Sequence, residues 1–125
     1  MPVRKKKVAE IPLREIITDA LLDKQGKDIV ILDFKKIGSS ICDAFIICHG
    51  ASRPQVEALT ESVLENVKKK TGQNALHKEG FENAEWILID YGDILVHIFQ
   101  DSTRIFYNLE QLWADAEITK IKSTD

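Results

Sequence analysis

The chain has only two cysteines and no excess of positive charge, and it lacks any apolar run near the roughly 20 residues that a membrane-spanning helix needs. Its opening, MPVRKKKVAE, is charged but is not followed by the apolar segment of a signal peptide. The 17 Lys and Arg residues against 20 Asp and Glu give a net charge of −3, which argues against a broad grip on a nucleic-acid backbone. We therefore expect a cytoplasmic protein that binds no membrane and whose partner is another protein, a basic one being favoured.

The two cysteines, Cys42 and Cys48, exclude a mutual disulfide and a structural zinc site. If residues 42–49 form a strand, both thiols lie on one face but roughly 20 Å apart, whereas a disulfide requires Cα atoms within about 7 Å. Two thiols with no His at finger spacing are also too few for zinc. We expect buried thiols in the core; a redox or nucleophilic role is the alternative.

A hydrophobic content of 44% with 30% charged residues is typical of one soluble domain with a modest core. We place this domain at residues 11–115, between a flexible basic N-terminal tail at 1–10 and a C-terminal tail at 116–125. The segments RKKK and TKIKSTD are predicted to be disordered.

Hydrophobic periodicity predicts alternating helices and strands. An amphipathic helix starts near Pro12 and is capped by Gly26, and DIVILDF and CDAFIICH are predicted strands buried on both faces. GASRPQVEALTESVLENVKKKTG is predicted to be a helix with a capping box at Ser52 and Gln55. A short strand is expected around residues 75–78.

The segment EWILIDYGDILVHIFQ predicts a β-hairpin with a two-residue loop, Tyr91-Gly92, in which Trp86 lies opposite His97 and Asp90 opposite Asp93. One face is aliphatic and must be core. The other is predicted to be an interaction surface beside two carboxylates, unless the last helix covers it. A metal at the two carboxylates would lack a third ligand. The second face carries Trp86, Leu88, Leu95, His97 and Phe99.

The segment STRIFYNLEQLWADAEI predicts a final helix, with Asp101 or Ser102 as its cap. Arg104 and Tyr107 lie off its apolar stripe, where recognition residues are found. The predicted stripe consists of Ile105, Phe106, Leu109, Leu112 and Trp113.

Three segments in order, CDAFIICHGAS, HKEGFENAEWILIDYGDILVHIF and RIFYNLEQLW, resemble the ribosomal silencing factor family, also called the Iojap family, over about residues 11–113. The family's aliphatic strand entering a Gly-x-Ser corner matches Asp43 to Ser52. The family's Glu-Gly followed by a Trp-led strand matches Glu79, Gly80 and Trp86. Its Asp-x-Gly-Asp hairpin with a downstream His matches Asp90, Gly92, Asp93 and His97. Its Tyr-x-Leu-Glu-x-Leu-Trp helix matches Tyr107, Leu109, Glu110, Leu112 and Trp113.

The resemblance implies a single α/β domain, with a mixed sheet of four or five strands packed by helices, similar in fold to nucleotidyltransferases. It implies a non-enzymatic role: binding ribosomal protein fourteen of the large subunit, blocking the joining of the small subunit and repressing translation when nutrients are scarce. No catalytic residue, metal or cofactor is expected. The candidate partner-binding residues are Glu79, Trp86, Asp90, Gly92, Asp93, His97, Phe99, Arg104 and Tyr107.

The competing hypothesis is an enzyme or small-ligand binder. A nucleotidyltransferase needs a Gly-Ser turn followed by Asp-x-Asp to hold Mg²⁺; here Gly38, Ser39 and Asp43 are present, but Phe45 takes the second carboxylate position. Residual nucleotide binding, and a hydrolase using His49 or Ser52, remain alternatives. A homodimer through the aromatic face when the protein is free, and a minor contact of the basic tail with ribosomal RNA, are further hypotheses.

Overall fold

The structure, a computed structural model, describes residues 12–38 and 42–122. The predictions for the basic tail and for Ser39 lie outside these residues. The described elements are α1 (Leu13–Asp23), β1 (Lys27–Asp33), a 3-10 turn (Lys35–Ile37), β2 (Ala44–Gly50), α2 (Arg53–Thr71), β3 (His77–Glu79), β4 (Trp86–Asp90), β5 (Ile94–Gln100), α3 (Asp101–Tyr107), α4 (Leu109–Leu112) and β6 (Glu117–Lys120).

The strands form one mixed sheet in the order β3-β4-β5-β2-β1-β6. Only the central β2–β5 pair is parallel, and the other pairs are antiparallel. The mixed α/β fold is confirmed, with one more strand than predicted. The extra strand is β6, so the predictions of a helix at residues 117 and 118 and of a disordered tail at residues 119 and 120 were wrong. The backbone of β6 pairs with β1, whose edge would otherwise present unpaired N–H and C=O groups.

Helices α1 and α2 cover one face of the sheet, where the main core lies. The aliphatic face of the β4–β5 hairpin packs there, as predicted. A second, smaller cluster on the opposite face includes Phe34, Phe45 and Phe99 and is partly covered by the chain after β5. Both thiols are buried, as predicted. Cys42 belongs to the second cluster and Cys48 to the first, so the prediction that they share a face was wrong, because the strand begins only at Ala44.

The β4–β5 hairpin has a longer loop than predicted. Asp90 lies opposite Leu95 and Trp86 opposite Phe99, so the predicted pairing was wrong by two residues. The Asp90 carboxylate accepts a hydrogen bond from the Gly92 N–H at 2.7 Å, and Gly92 has a φ of +89°, which closes the wider turn. Since side chains alternate with period two, a shift of two residues leaves each side chain on its predicted face.

The predicted helix caps were partly confirmed. Ser52 is the N-cap of α2, its hydroxyl accepting from the Gln55 N–H, while the Gln55 side chain accepts from the Ala51 N–H and not from Ser52. After α1 the residue with positive φ is Gln25 (φ +61°), one before the predicted Gly26.

The predicted single final helix is two short helices. Asn108 adopts a left-handed conformation (φ +45°) that ends α3 and changes the helical phase before α4. Asp101 is the first helical residue, and no side chain caps this helix, so the predicted cap was wrong. The predicted stripe was wrong for Ile105, Phe106 and Leu112, which are exposed, and Arg104 is buried instead. It was correct for Leu109, which is buried, and for Trp113, which packs against the second cluster.

Candidate partner-binding surface

Two aromatic rings from different elements form the centre of the predicted interaction surface. Trp86 begins β4 and is partly buried, and Tyr107 ends α3 and is 48% exposed. Their ring centroids lie 4.7 Å apart. We call these two residues the aromatic pair. A partly exposed pair of large rings, with apolar bodies and polar tips, is typical of the anchors of protein interfaces.

His97 and Phe99 of β5 lie beneath the aromatic pair and are buried. The Trp86 indole N–H donates a 3.0 Å hydrogen bond to His97 Nδ1. An indole N–H can only donate, so His97 carries its proton on Nε2, which is buried without a hydrogen-bond partner among the described residues. Burial lowers the pKa of His97 to about 4. Both predicted residues therefore lie below the surface and support the aromatic pair.

Carboxylates lie on the same hairpin, at the end of β4 away from Trp86. Asp93 is exposed, Asp90 is partly buried, and Gly92 lies between them in the turn. Glu79 of β3 pairs with Leu88 and therefore lies on the same face, exposed to solvent. We call Glu79, Asp90 and Asp93 the acidic rim.

Gly80, which follows Glu79 of the acidic rim, packs closely against the backbone of Trp86. It has a φ of +87°, and a Cβ built on it would lie 2.0 Å from the carbonyl oxygen of Trp86. Only glycine allows the chain after β3 to pass this close to the start of β4. The Glu-Gly sequence before the tryptophan is thus explained by backbone packing.

Arg104 is not on the surface, in contrast to its prediction as a partner-binding residue. Its side chain is 9% exposed. It donates to His49 Nδ1 at 2.9 Å, to the Lys27 carbonyl at 3.3 Å and to the Glu110 carboxylate at 2.7 Å. Its spacing placed it off the apolar stripe, but three acceptors draw it inward.

Two exposed apolar residues next to the surface were missed. Phe106 is 78% exposed, and its ring lies 5.0 Å from that of Tyr107. Leu76 is 73% exposed, and its side chain lies beside Gly92. The helical pattern had placed Phe106 in the core, and nothing in the sequence pointed to Leu76.

The enzyme-like residues have other roles in the described structure. Phe45, at the second carboxylate position, is buried with its ring 4.4 Å from that of His97. His49 accepts from Arg104, and desolvation, with help from the Arg104 charge, lowers the pKa of His49. Ser52 caps a helix. Within residues 12–38 and 42–122, no group of three or more His, Cys, Asp or Glu side chains could hold a metal ion.

The protein is thus an α/β domain whose mixed sheet carries a partly exposed aromatic pair and an acidic rim. The protein belongs to the family described as "Ribosomal silencing factor during starvation", whose model matches residues 7–125. This confirms the resemblance found in the three sequence segments, together with the prediction of a regulatory, non-enzymatic protein. No helix of the described residues is long and apolar enough to cross a membrane.

Individual relatives agree with this assignment. The chain is 41% identical over 110 residues to "Ribosomal silencing factor RsfS" of Halalkalibacterium halodurans, which covers 88% of this chain and 92% of the relative. It is 39% identical over 107 residues to the protein of the same name from Bacillus subtilis, and the match covers 86% of this chain and 89% of the relative. A crystal structure of a protein from Chromobacterium violaceum superposes with a TM-score of 0.76 at 34% identity, covering 92% of this chain and 98% of the other.

Proposed function

We propose that the protein binds the large ribosomal subunit in the cytoplasm through ribosomal protein fourteen, blocks the joining of the small subunit and so represses translation. The observation that carries the proposal is the partly exposed aromatic pair, together with the acidic rim on β3 and the β4–β5 hairpin, on a chain that belongs to the ribosomal silencing factor family. The mechanism is steric occlusion, which needs binding at the subunit interface and no chemistry.

The physical properties of the surface fit a basic protein partner. Carboxylates at a rim favour the approach of positive charge and raise the association rate. Large rings at the centre provide most of the affinity once water is excluded. His97, Phe99 and Arg104 are buried, so they do not contact the partner directly. The predicted residues that can do so are Trp86, Tyr107, Glu79, Asp90 and Asp93, and the structure adds exposed Leu76 and Phe106 to them.

The first test is sedimentation of the purified protein with isolated large and small subunits on sucrose gradients. We expect it to migrate with the large subunit alone and to reduce the yield of joined ribosomes. A folded protein that binds neither subunit would contradict the proposal and direct attention to nucleotide binding near residues 38–55, which titration calorimetry with magnesium nucleotides tests.

A second test locates the surface. Trp86→Ala would also remove the hydrogen bond to buried His97, so we choose the exposed residues Asp93 and Tyr107. We expect Asp93→Lys combined with Tyr107→Ala to weaken large-subunit binding by about a hundredfold with little change in stability. Glu61→Lys on α2 is the matched charge reversal, exposed on the opposite side of the sheet, and should bind normally. Equal losses in both proteins would assign the effect to net charge.

The same surface supports the prediction of a homodimer when the protein is free. Exposed Phe106 extends the aromatic pair, and an apolar patch of this kind can serve self-association and partner binding in turn. Light scattering of the free protein, with and without Tyr107→Ala, tests this expectation.

A further inference from the structure

Helix α3, which carries Tyr107, is held to the sheet in an unusual way. It has seven residues, and Arg104 is its one buried residue. Its large apolar side chains, Ile105 and Phe106, are 73% and 78% exposed. A helix this short is unstable by itself and normally docks by burying an apolar face. Exposed Ile105 and Phe106 contribute little to docking, so the contacts of Arg104 are the main buried link between α3 and the rest of the fold.

The three acceptors of Arg104 come from three parts of the fold. His49 lies at the end of β2, Lys27 at the start of β1, and Glu110 in α4. One guanidinium thus ties α3 to two strands and to the next helix. The planar fork of arginine can reach several acceptors at fixed angles, which a lysine ammonium on a flexible stem cannot do.

The same residue is linked to the aromatic pair. Tyr107 follows Arg104 by three residues, and the Asn108 N–H donates to the Arg104 carbonyl at 2.9 Å, which closes the last turn of α3. Any rotation or lifting of α3 would therefore carry Tyr107 away from Trp86. The ring of Trp86 is fixed independently by its hydrogen bond to His97.

We propose that Arg104 is a positioning residue of the partner-binding surface: by docking α3 through His49, Lys27 and Glu110, it holds Tyr107 against Trp86 in the geometry that the partner recognises. This inference rests on the proposed function for its binding consequence. The docking itself can be measured without any partner.

The partner-free experiment uses a Trp113→Phe background, in which Trp86 is the single tryptophan. Tyr107 covers part of Trp86, so loss of that cover should increase acrylamide quenching of its fluorescence. We expect Arg104→Met to raise the quenching constant as much as Tyr107→Ala does, and the double variant to rise no further. An Arg104→Met protein with the quenching constant of the background would overturn the proposal.

Binding to the large subunit provides the second readout. We expect Arg104→Met and Tyr107→Ala each to raise the Kd by about tenfold, and the double variant to bind no more weakly than Tyr107→Ala. A merely structural role predicts instead that the two effects multiply, which would overturn the proposal. All proteins are compared at a temperature at which each is folded.

Conservative variants keep the proposal testable if Arg104→Met fails to fold. Arg104→Lys retains the charge and should still raise the quenching constant, whereas Glu110→Gln retains an acceptor and should raise it less. Normal quenching in Arg104→Lys would show that charge alone suffices and would contradict the role given to the guanidinium fork. If the wild-type protein binds no large subunit, the proposed function fails, while the quenching measurements still decide whether Arg104 positions Tyr107.

Discussion

His97 makes the stability of the protein depend on pH in a defined window. Its ring is buried among Phe45, Trp86 and Phe99, and burial lowers its pKa from the ordinary 6.5 to about 4. Between these two values the unfolded chain binds a proton that the folded chain does not. Stability is therefore complete above pH 6.5 and is lost progressively as the pH falls to about 4.

The size of this effect follows from the shift. A difference of about 2.5 pKa units corresponds to about 3 kcal/mol of unfolding free energy between pH 7 and pH 4. This is a large share of the roughly 5–15 kcal/mol that a domain has in total. Protonation would also place a charge beside the Trp86 N–H, which donates to the same ring.

Urea unfolding at intervals from pH 7.5 to pH 4 tests this prediction. The control is His97→Asn, whose side-chain oxygen can accept from the Trp86 N–H but does not titrate. His49, whose pKa is also lowered, contributes equally to both proteins and cancels in the difference. We expect the wild-type protein to lose about 3 kcal/mol more than the variant over this range. Parallel pH profiles would refute the assignment of a buried, neutral His97.

Two further predictions concern the backbone. Gly80→Ala should lower the unfolding free energy by about 3 kcal/mol or more, because the added Cβ would meet the Trp86 carbonyl. The control is Gly72→Ala, which should cost about 1 kcal/mol, because Gly72 has a similar φ of +79° but open space around it. Equal losses of stability in thermal unfolding would show that the segment at Gly80 relaxes freely. Deleting residues 117–125 should cost roughly 2 kcal/mol by removing the β6 ladder from β1, measured as a shift of the urea midpoint; an unchanged midpoint would contradict a stabilising role for β6.

The hairpin shows which structural features the local sequence predicts and which it does not. The alternation in WILID and ILVHIFQ placed every side chain of β4 and β5 on its correct face, because period two follows from strand geometry. The pairing register was wrong by two residues. The register depends on the turn, where the Asp90 carboxylate accepts a hydrogen bond from the Gly92 N–H. The alternation of apolar and polar residues does not predict which turn geometry forms.

The end of the chain shows where sequence reasoning stopped. A helical pattern placed Ile105 and Phe106 inside and Arg104 outside, and the structure has the reverse. A prediction from periodicity assumes that the apolar face of a helix is the buried one. Arg104 is buried instead because it has hydrogen-bond acceptors in β1, β2 and α4. The acceptors in β1 and β2 are far from Arg104 in sequence, so the helical pattern does not reveal them. Likewise β6 forms because β1 offers a free edge, although EITK has no strong strand signal of its own.

The sequence by itself determined the mixed α/β class, the two buried strands, the faces of the hairpin and the family, since these follow from local periodicity and from motifs in order. Only the tertiary structure decided which candidate residues are exposed to solvent. It buried His97, Phe99 and Arg104, and it brought Trp86 and Tyr107 from separate elements into contact. Burial and contact are set by what the rest of the chain packs against each side chain, and that is fixed only when all the elements have assembled.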